Sequence, residues 1–464
     1  MEKIRTEHGC KCRRMFDGIQ NGEKIYISVD REIPEDPMRD GYGGGLLAGE
    51  TVRISLLSDE ILDYDAGVFE DRSNRPFLDE YRPYFASFIV PLDGKNWENV
   101  RSLGSGWHVG RFAGSEGTAD APGIFLDGIL ETSASPVCYL EKRLLVFRDK
   151  TVSQALLNQI SSTYNPRNFA VKSSQEIEKI LQTAWDGDFP QTIDIYNVGH
   201  GNADCIWGVK HKILYDVGYS YRSLPKPGIG KFQKAAAALR MLKPDCVILS
   251  HWDTDHMIGC AYAGQDLFHK KWVAPYLVSD SDHKASPNSV RLAQYLQILD
   301  SLCLVDRDQS NKRIAVIPCG NDVEMKVWLG SGASRLTAKN REGLMIEITD
   351  KNGVYPNVLL AGDVPYRCMP DQVLRTHFDF IHVPHHCSAM ELDRLKTMSA
   401  GSCAVISANR NGKKALNCDG GHYSELQKKF ASVAATIENP SGDDSKNLSI
   451  EISYTKSKKT WRLR

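Results

Sequence analysis

The sequence predicts an α/β protein with a mixed, β-rich N-terminal domain and a C-terminal domain in which strands alternate with helices. Three observations support this class. Several apolar runs of strand length in the second half of the chain end directly in aspartate or histidine, an Ala-rich helical segment lies between two such runs, and the first part of the chain shows strand-like runs followed by two helical ones. The turn-like segment Asp186–Gln191, DGDFPQ, is the predicted boundary, which gives domains 1–186 and 187–464.

The N-terminal domain contains five runs with strand character and two with helical spacing. The predicted strands are Lys24–Val29, Thr51–Leu57, Phe85–Pro91, Gly123–Leu130 and Val137–Phe147, and the predicted helices are Thr151–Ser162 and Ser173–Trp185. Each helix opens on a Ser or Thr that can cap its first turn. No motif in this domain indicates a chemistry, so its role is not predicted.

The C-terminal domain opens with three short strands, a helix and a buried strand. The strands are Ile193–Val198, Cys205–Val209 and Ile213–Val217, the helix is Lys231–Leu242, and the buried strand is Cys246–Ser250. Because a helix between two strands is the usual crossover between parallel neighbours, this pattern predicts a β-α-β unit.

Four candidate metal ligands follow the buried strand in the sequence SHWDTDH: His251, Asp253, Asp255 and His256. In an extended segment alternate side chains share a face, so the first three are expected to point the same way. Closely spaced carboxylates repel one another and resist desolvation unless a cation compensates them. The alternative is a charged loop after a strand, but one loop seldom collects four ligands by chance.

Two later strands deliver further candidates, and a helix start delivers another. Asn357–Asp363, NVLLAGD, ends in Asp363, and Phe378–Ser388, FDFIHVPHHCS, places His385 and His386 at a strand tip. His422 opens the predicted helix Tyr423–Ala431, either as a residue that contacts substrate or donates a proton, or only as the residue before a helix.

These motifs, in this order, resemble the H-x-[HD]-x-D-H signature and its partners in the metallo-β-lactamase fold hydrolases. The form with Asp as its third residue, preceded by Ser, is similar to the soluble hydrolase domain of ComEC-type competence proteins, and the resemblance spans residues 191–464. It implies an αββα four-layer sandwich, an Asp363 that bridges two metals, and an Asp216 that supports the centre from behind. The chain departs from that pattern at Asn202, Cys387 and Tyr423, where Asp, Gly and Pro are usual.

The resemblance implies two divalent cations. His251, Asp253 and Asp363 would hold one; Asp255, His256, Asp363 and either His385 or His386 would hold the other. Imidazole and carboxylate ligands without thiolate suit zinc, with manganese or iron as alternatives.

The predicted activity is phosphodiester hydrolysis by a hydroxide bound between the two metals, with Asp255 and His422 as catalytic residues and a nucleic acid as one candidate substrate. One alternative is a small phosphodiester of nucleotide or phosphocholine type. Another is a regulatory protein that binds a partner through its N-terminal domain, with the hydrolase as its effector or silent. The motif set departs from the branches that act on β-lactams and thioesters.

The composition limits the classes of protein to which the chain can belong. The 464 residues carry a net charge of -1, so there is no global basic field for nucleic acid, although a local basic groove is not excluded. No apolar run approaches the ~20 residues of a membrane span, and the first residues have no apolar core of a secretory signal. The twelve cysteines contain no CxxC pair, which favours free thiols and a cytoplasmic location.

Overall fold

The structure is a computed structural model, and it divides the chain into two compact units. It describes residues 24–29, 51–70, 84–91, 94–103, 107–113, 119, 121–129, 137–150, 152–165, 169–199, 201–219, 233–261, 263, 265–277, 285–331, 341–387, 390, 392, 394–395, 401–407, 422–436, 449–455 and 458–463.

The first unit contains a closed six-stranded antiparallel barrel with the strand order β1-β2-β3-β5-β6-β4. Its elements up to residue 165 are β1 Lys24–Val29, β2 Thr51–Leu57, α1 Asp59–Glu70, β3 Tyr84–Pro91, α2 Gly94–Leu103, β4 Trp107–Phe112, β5 Ala121–Ile129, β6 Val137–Lys150 and α3 Gln154–Thr163. The five predicted strands coincide with five of these six strands. The sequence pattern did not predict β4, α1 or α2.

The remaining elements follow in chain order. They are β7 Val171–Lys172, α4 Ser174–Trp185, β8 Pro190–Tyr196, β9 Asp204–Gly208, β10 Lys212–Tyr215, α5 Gln233–Met241, β11 Cys246–Ile248, α6 Thr254–Met257, β12 Lys271–Pro275, α7 Pro287–Ile298, β13 Leu302–Val305, β14 Arg313–Pro318, β15 Val323–Leu329, β16 Leu344–Asp350, β17 Val358–Leu360, α8 Asp371–Arg375, β18 Phe380–His382, β19 Cys403–Ile406, α9 Tyr423–Lys429, β20 Ser432–Ala435, β21 Ser449–Thr455 and β22 Lys458–Leu463. All except α7 belong to the second unit.

Two sheets build the second unit. One has nine strands in the order β22-β21-β8-β9-β10-β11-β12-β13-β7, and the other has seven in the order β14-β15-β16-β17-β18-β19-β20. Strands β10 to β13 are parallel to one another, and so are β17 to β20. Loops that leave the carboxyl ends of parallel strands gather at one edge of a sheet, and this arrangement positions the candidate site.

The two sheets share one hydrophobic core. Ile193 and Ile213 of the nine-stranded sheet lie in the same buried cluster as Ile346 and Leu360 of the seven-stranded sheet, and α4 adds Trp185. A second cluster packs α8 and α9 on the other face of the seven-stranded sheet. The chain is therefore a mixed α/β protein with several sheets. The four-layer αββα arrangement remains a prediction.

Among the described residues, the compact units differ from the predicted domain ranges at two places. The segment Phe169–Trp185 belongs to the second unit, because α4 buries Ile177, Leu181 and Trp185 in the shared core of the two sheets. Helix α7 belongs to the first unit, although it lies in the sequence between β12 and β13. A local pattern cannot show which core a helix joins, since that depends on contacts distant in sequence.

Eight cysteines in the described ranges are free and buried. Burial raises the pKa of Cys319 and of Cys387 to about 12, which keeps both thiols protonated. Among the described residues, none of the helices has the length and apolar character that a membrane crossing requires.

Candidate metal centre

The residues that follow β11 begin the candidate site. His251 is buried, and its Nε2 atom lies 3.5 Å from Asp253 Oδ2. Asp253 is the N-cap residue of α6, with extended backbone angles, so the next residues turn into a helix. The predicted extended alternation therefore stops at Asp253. Asp255 and His256 project from a helical turn instead, which is a correction to the expectation that three side chains share one face.

Gly218 allows the turn that carries Asp255 and His256 to lie against the strands. A Cβ atom at this position would meet the Asp255 carbonyl oxygen at 2.0 Å and the Asn202 carbonyl oxygen at 2.4 Å. The Gly218 amide donates to that Asn202 oxygen at 2.6 Å, and the Val217 amide donates to the His256 carbonyl at 2.8 Å. These backbone contacts fix the height of the helical turn above the sheet edge.

Asp363 arrives from the end of β17 in the other sheet. Gly362, with φ of 54°, brings it close, since a Cβ atom there would lie 2.6 Å from Ser250 Cβ. Asp363 Oδ1 lies 3.2 Å from His256 Nε2, and Asp363 Oδ2 lies 3.7 Å from His251 Nε2. The strand ends of two sheets thus meet at this carboxylate.

His385 and His386 lie in a tight turn after β18. His385, His386 and Cys387 all have positive φ, at 50°, 51° and 66°. The Nε2 atoms of the two histidines lie 3.9 Å from Asp363, His385 from Oδ2 and His386 from Oδ1. His386 Nε2 also lies 3.4 Å from Asp255 Oδ2. Both imidazoles of the predicted pair therefore border Asp363.

The hydrogen bonds of His251 and His256 determine where their ring protons lie. The Ser250 hydroxyl donates to Asp216 Oδ2 at 2.7 Å, so its oxygen accepts from His251 Nδ1 at 2.9 Å. His256 Nδ1 donates to the same carboxylate oxygen at 2.8 Å. In each neutral ring Nε2 is left with a lone pair, and both lone pairs face Asp363. Asp216 thus contacts both Ser250 and His256, and its support of a metal centre remains a prediction.

The ring proton of His386 can be placed in the same way, from the hydrogen bond of its Nδ1 atom. Its Nδ1 atom lies 3.2 Å from the Ser407 carbonyl oxygen. A carbonyl can only accept, so Nδ1 carries a proton, and in the neutral ring Nε2 keeps a lone pair on the side of Asp255.

The buried nitrogen and oxygen atoms of this site are arranged as they would be around a cation. In the described part of the chain, His251 Nε2, His256 Nε2 and Asp363 Oδ1 are buried and make no hydrogen bond. His256 Nε2 and Asp363 Oδ1 lie only 3.2 Å apart, and a proton or a metal ion on Nε2 relieves the repulsion between them. Lone pairs of nitrogen and oxygen that converge in a buried site repel one another unless a positive ion lies between them. The donor set therefore fits a metal ion.

The pKa values of His256 and Asp363 are consistent with a site that binds a cation. Burial opposes charge on His256, yet the carboxylates of Asp363 and Asp216 raise its pKa well above the usual value. Burial also opposes charge on Asp363, but the imidazoles of His256, His385 and His386 lower its pKa well below the usual range. A proton and a metal ion compete for the same lone pairs, so metal affinity should depend on pH.

Two overlapping groups of ligand atoms lie within 4.8 Å of one another: His251, His256 and Asp363, and Asp255, His256 and His386. His256 belongs to both groups, whereas the sequence placed it in one. The side chains of Asp253 and Asp255 are 34 % and 17 % exposed, and those of the other five predicted ligands at most 7 %. The two aspartates therefore form the accessible side of the centre.

His422, the other predicted catalytic residue, is buried at the N-terminus of α9. Its Nε2 atom lies 3.3 Å from the Tyr366 hydroxyl, and its backbone amide donates to the Cys387 thiol, which follows His386 in the chain. Its role in proton transfer remains a prediction.

Sequence reasoning missed two buried residues beside the centre. His382 lies within β18 and Ser407 follows β19, and they contact each other at 2.9 Å. An ionisable residue inside a short apolar strand, as in FIHVP, was the available signal for His382.

Comparisons with known proteins provide little further support. No family model and no curated protein matches the chain. One similar solved structure is a protein of unknown function from Enterococcus faecalis V583, with TM-score 0.26 and 11% identity over 42% of this chain and 49% of that one. Another is a Cronobacter sakazakii metallo-β-lactamase with a HARLDQ motif, with TM-score 0.21 and 15% identity over 41% of this chain and 64% of that one. The chain thus spans less than two thirds of either protein, and both TM-scores are too low to carry an argument.

Proposed function

We propose that the second unit is a metal-dependent hydrolase of the metallo-β-lactamase fold that cleaves phosphodiesters and holds two divalent cations, with zinc favoured. The observation that carries this proposal is the convergence of buried imidazole and carboxylate lone pairs on Asp363. Its two oxygens face different sets of histidines, His256 and His386 on one side and His251 and His385 on the other. That geometry suits a carboxylate shared between two cations.

The residues of the chain have distinct parts in this mechanism. Divalent cations supply Lewis acidity toward a phosphoryl group and lower the pKa of water. Asp363, His251 and His256 hold the buried side, while Asp216 and Ser250 keep the imidazole protons on Nδ1 so that Nε2 can ligate. Asp253 and Asp255 border the side from which a substrate enters, where Asp255 orients the attacking water. His422 is the proposed proton donor to the leaving group.

The phosphodiester class and the ComEC-like subtype rest on the motif resemblance and on the carboxylate-rich donor set. A nucleic acid and a small phosphodiester are both candidate substrates, and the net charge of -1 weakens the nucleic-acid case. A cytoplasmic location is likewise proposed, and the eight buried free thiols support it.

The test combines elemental analysis with a substrate screen. The purified protein is expected to retain two divalent ions per chain and to cleave at least one of bis-p-nitrophenyl phosphate, single-stranded DNA, RNA and a phosphocholine ester. Asp363→Asn should lose metal and lower kcat/KM roughly 10³-fold, since a shared ligand supplies about 4 kcal/mol of transition-state stabilisation. Asp255→Ala should lower kcat in a folded protein.

Asp266→Asn is the matched control, because Asp266 is exposed and lies in the turn after the centre. Its activity should match that of the parent. A protein that retains metal but cleaves none of the four substrates would contradict the hydrolase proposal and favour a regulatory role.

A further inference from the structure

A continuous set of polar contacts lies behind His386. Asp204 Oδ2 contacts His382 Nδ1 at 2.7 Å, and His382 Nε2 contacts the Ser407 hydroxyl at 2.9 Å. All three residues are at most 1 % exposed. Asp204 lies on β9 of the nine-stranded sheet, and His382 lies on β18 of the seven-stranded sheet. The contact between them therefore joins the two sheets through a buried Asp–His hydrogen bond.

An Asp, a His and a Ser at these distances have the residue types of a nucleophilic triad. The Ser407 side chain, however, is buried, so no substrate can reach its oxygen. The nucleophile reading is therefore excluded, and any functional effect of the three residues must pass through another group.

That group is His386. The carbonyl of Ser407 accepts from His386 Nδ1 at 3.2 Å, and this bond determines which ring nitrogen faces Asp255 and Asp363. The position of the carbonyl depends on Ser407, whose hydroxyl is held by His382. His386 also has a φ of 51°, in the left-handed region that non-glycine residues rarely adopt. Such a backbone persists only where surrounding contacts hold it.

We propose that Asp204, His382 and Ser407 are positioning residues that set the ring orientation and tautomer of His386. Through His386 they control the cation affinity of the group Asp255, His256 and His386, and leave the group His251, His256 and Asp363 nearly unaffected. This inference rests on the proposed metal centre. None of the three residues is among the predicted ligands, and their effect is selective for one half of the site.

The experiment compares Ser407→Ala with Val405→Ala. The first removes only the hydroxyl that His382 holds. The second removes apolar atoms from the shared core on the same strand, at the position paired in register with His382, and is the matched control for loss of packing. Competition with chelators of graded strength would measure the affinity of each bound ion. Ser407→Ala should weaken one ion 10–100-fold and the other less than about threefold. Val405→Ala should change both ions less than about threefold.

A second readout needs no metal. Long-range proton–nitrogen spectra of ¹⁵N-histidine-labelled protein report which ring nitrogen is protonated, with His386 assigned through His386→Gln. The parent should show His386 protonated on Nδ1, and Ser407→Ala should show a mixture of tautomers. Asp204→Asn, which keeps the size of the side chain, replaces Ser407→Ala if that variant does not fold.

Equal weakening of both ions, or an unchanged His386 tautomer in the Ser407 variant, would overturn the inference. A parent protein that binds no metal would instead refute the proposed function, and the tautomer spectra would still decide on the positioning role.

Discussion

Two buried polar clusters in this protein, one in each unit, differ in whether their hydrogen-bonding groups find partners. In the first unit Arg291 donates from Nε to Asp65 at 2.6 Å and from Nη2 to the Tyr164 hydroxyl at 3.0 Å, and that hydroxyl donates to Asp65 at 2.5 Å. Asn288 accepts a further bond from the guanidinium. In this cluster each nitrogen of the guanidinium donates to an acceptor, and the contacts join α1, the end of α3 and α7.

The centre in the second unit is arranged differently. There His251 Nε2, His256 Nε2 and Asp363 Oδ1 converge but make no hydrogen bond. A closed cluster of the first kind has its charges compensated within the protein, whereas an open cluster of the second kind favours a bound cation. The distinction depends on where protons lie, so residue types alone do not reveal it.

The largest stability effect that this comparison predicts is for Asp65→Ala. Removing the carboxylate leaves the Arg291 guanidinium buried with its charge uncompensated, which should lower the free energy of unfolding by about 3–5 kcal/mol. Chemical denaturation would measure it. The exposed Asp63 on the same helix is the control, and Asp63→Ala should change stability by less than about 0.5 kcal/mol.

The same variant should leave the metal content unchanged, because the cluster holds no group that needs a cation. Replacing both partners, as in Asp65→Leu with Arg291→Met, should recover most of the loss. A loss of metal in Asp65→Ala at temperatures where the protein remains folded would refute the view of this cluster as structural.

The next effect concerns the carboxylate behind the centre. Asp216→Asn removes the charge that fixes the His256 proton and should weaken metal binding 10–100-fold, as measured by chelator competition. Asp216 has φ of 60°, which Asn tolerates, so backbone strain does not confound the result. Asp300→Asn is the control, since Asp300 has φ of 53° and a side chain that is 96 % exposed. Equal affinities for Asp216→Asn and the parent would show that Asp216 does not support the centre.

The sequence predicted much of this architecture because the relevant signals are local. The strands β1 and β2 have the predicted bounds, since each is a short alternating or apolar run between turn residues. The loops that carry the candidate ligands were recognisable because His251, Asp363 and His385 follow shortly after such strands.

The helical turn at Asp255 and the contacts of His382 were not predictable. The first depends on backbone packing against Gly218, and the second on a hydrogen bond between residues 178 positions apart in the chain. For the same reason, the sequence did not predict that α7 belongs to the first unit, because this depends on contacts between residues distant in sequence. Its Arg291 meets Asp65 across 226 residues, a separation at which no sequence period applies.

A third kind of carboxylate accepts hydrogen bonds from backbone amides. Its replacement is expected to have the smallest effect on stability. Asp188 accepts backbone N–H bonds from Phe189, Lys210 and His211 at 2.9, 2.7 and 2.8 Å. Burial alone would raise its pKa, but these amides favour the charged form and lower it. The folded state therefore binds the proton less readily than the unfolded state, so the contribution to stability is present at neutral pH and is lost as the pH falls through the lowered pKa.

Asp188→Asn should accordingly reduce the free energy of unfolding by about 1 kcal/mol at pH 7, a value that includes a discount for solvent screening. The reduction should become progressively smaller as the pH falls below ~4. Urea unfolding at a series of pH values would measure the difference. Asp350, which accepts from the amides of Asn352, Val354 and Tyr355 and whose pKa is also lowered, offers an independent repeat through Asp350→Asn. If the difference in unfolding free energy between variant and parent stays constant with pH, the amides bind the carboxylate no better than water does. Hydrogen-bond geometry alone would then not distinguish Asp188 and Asp350 from Asp363 at the candidate metal centre.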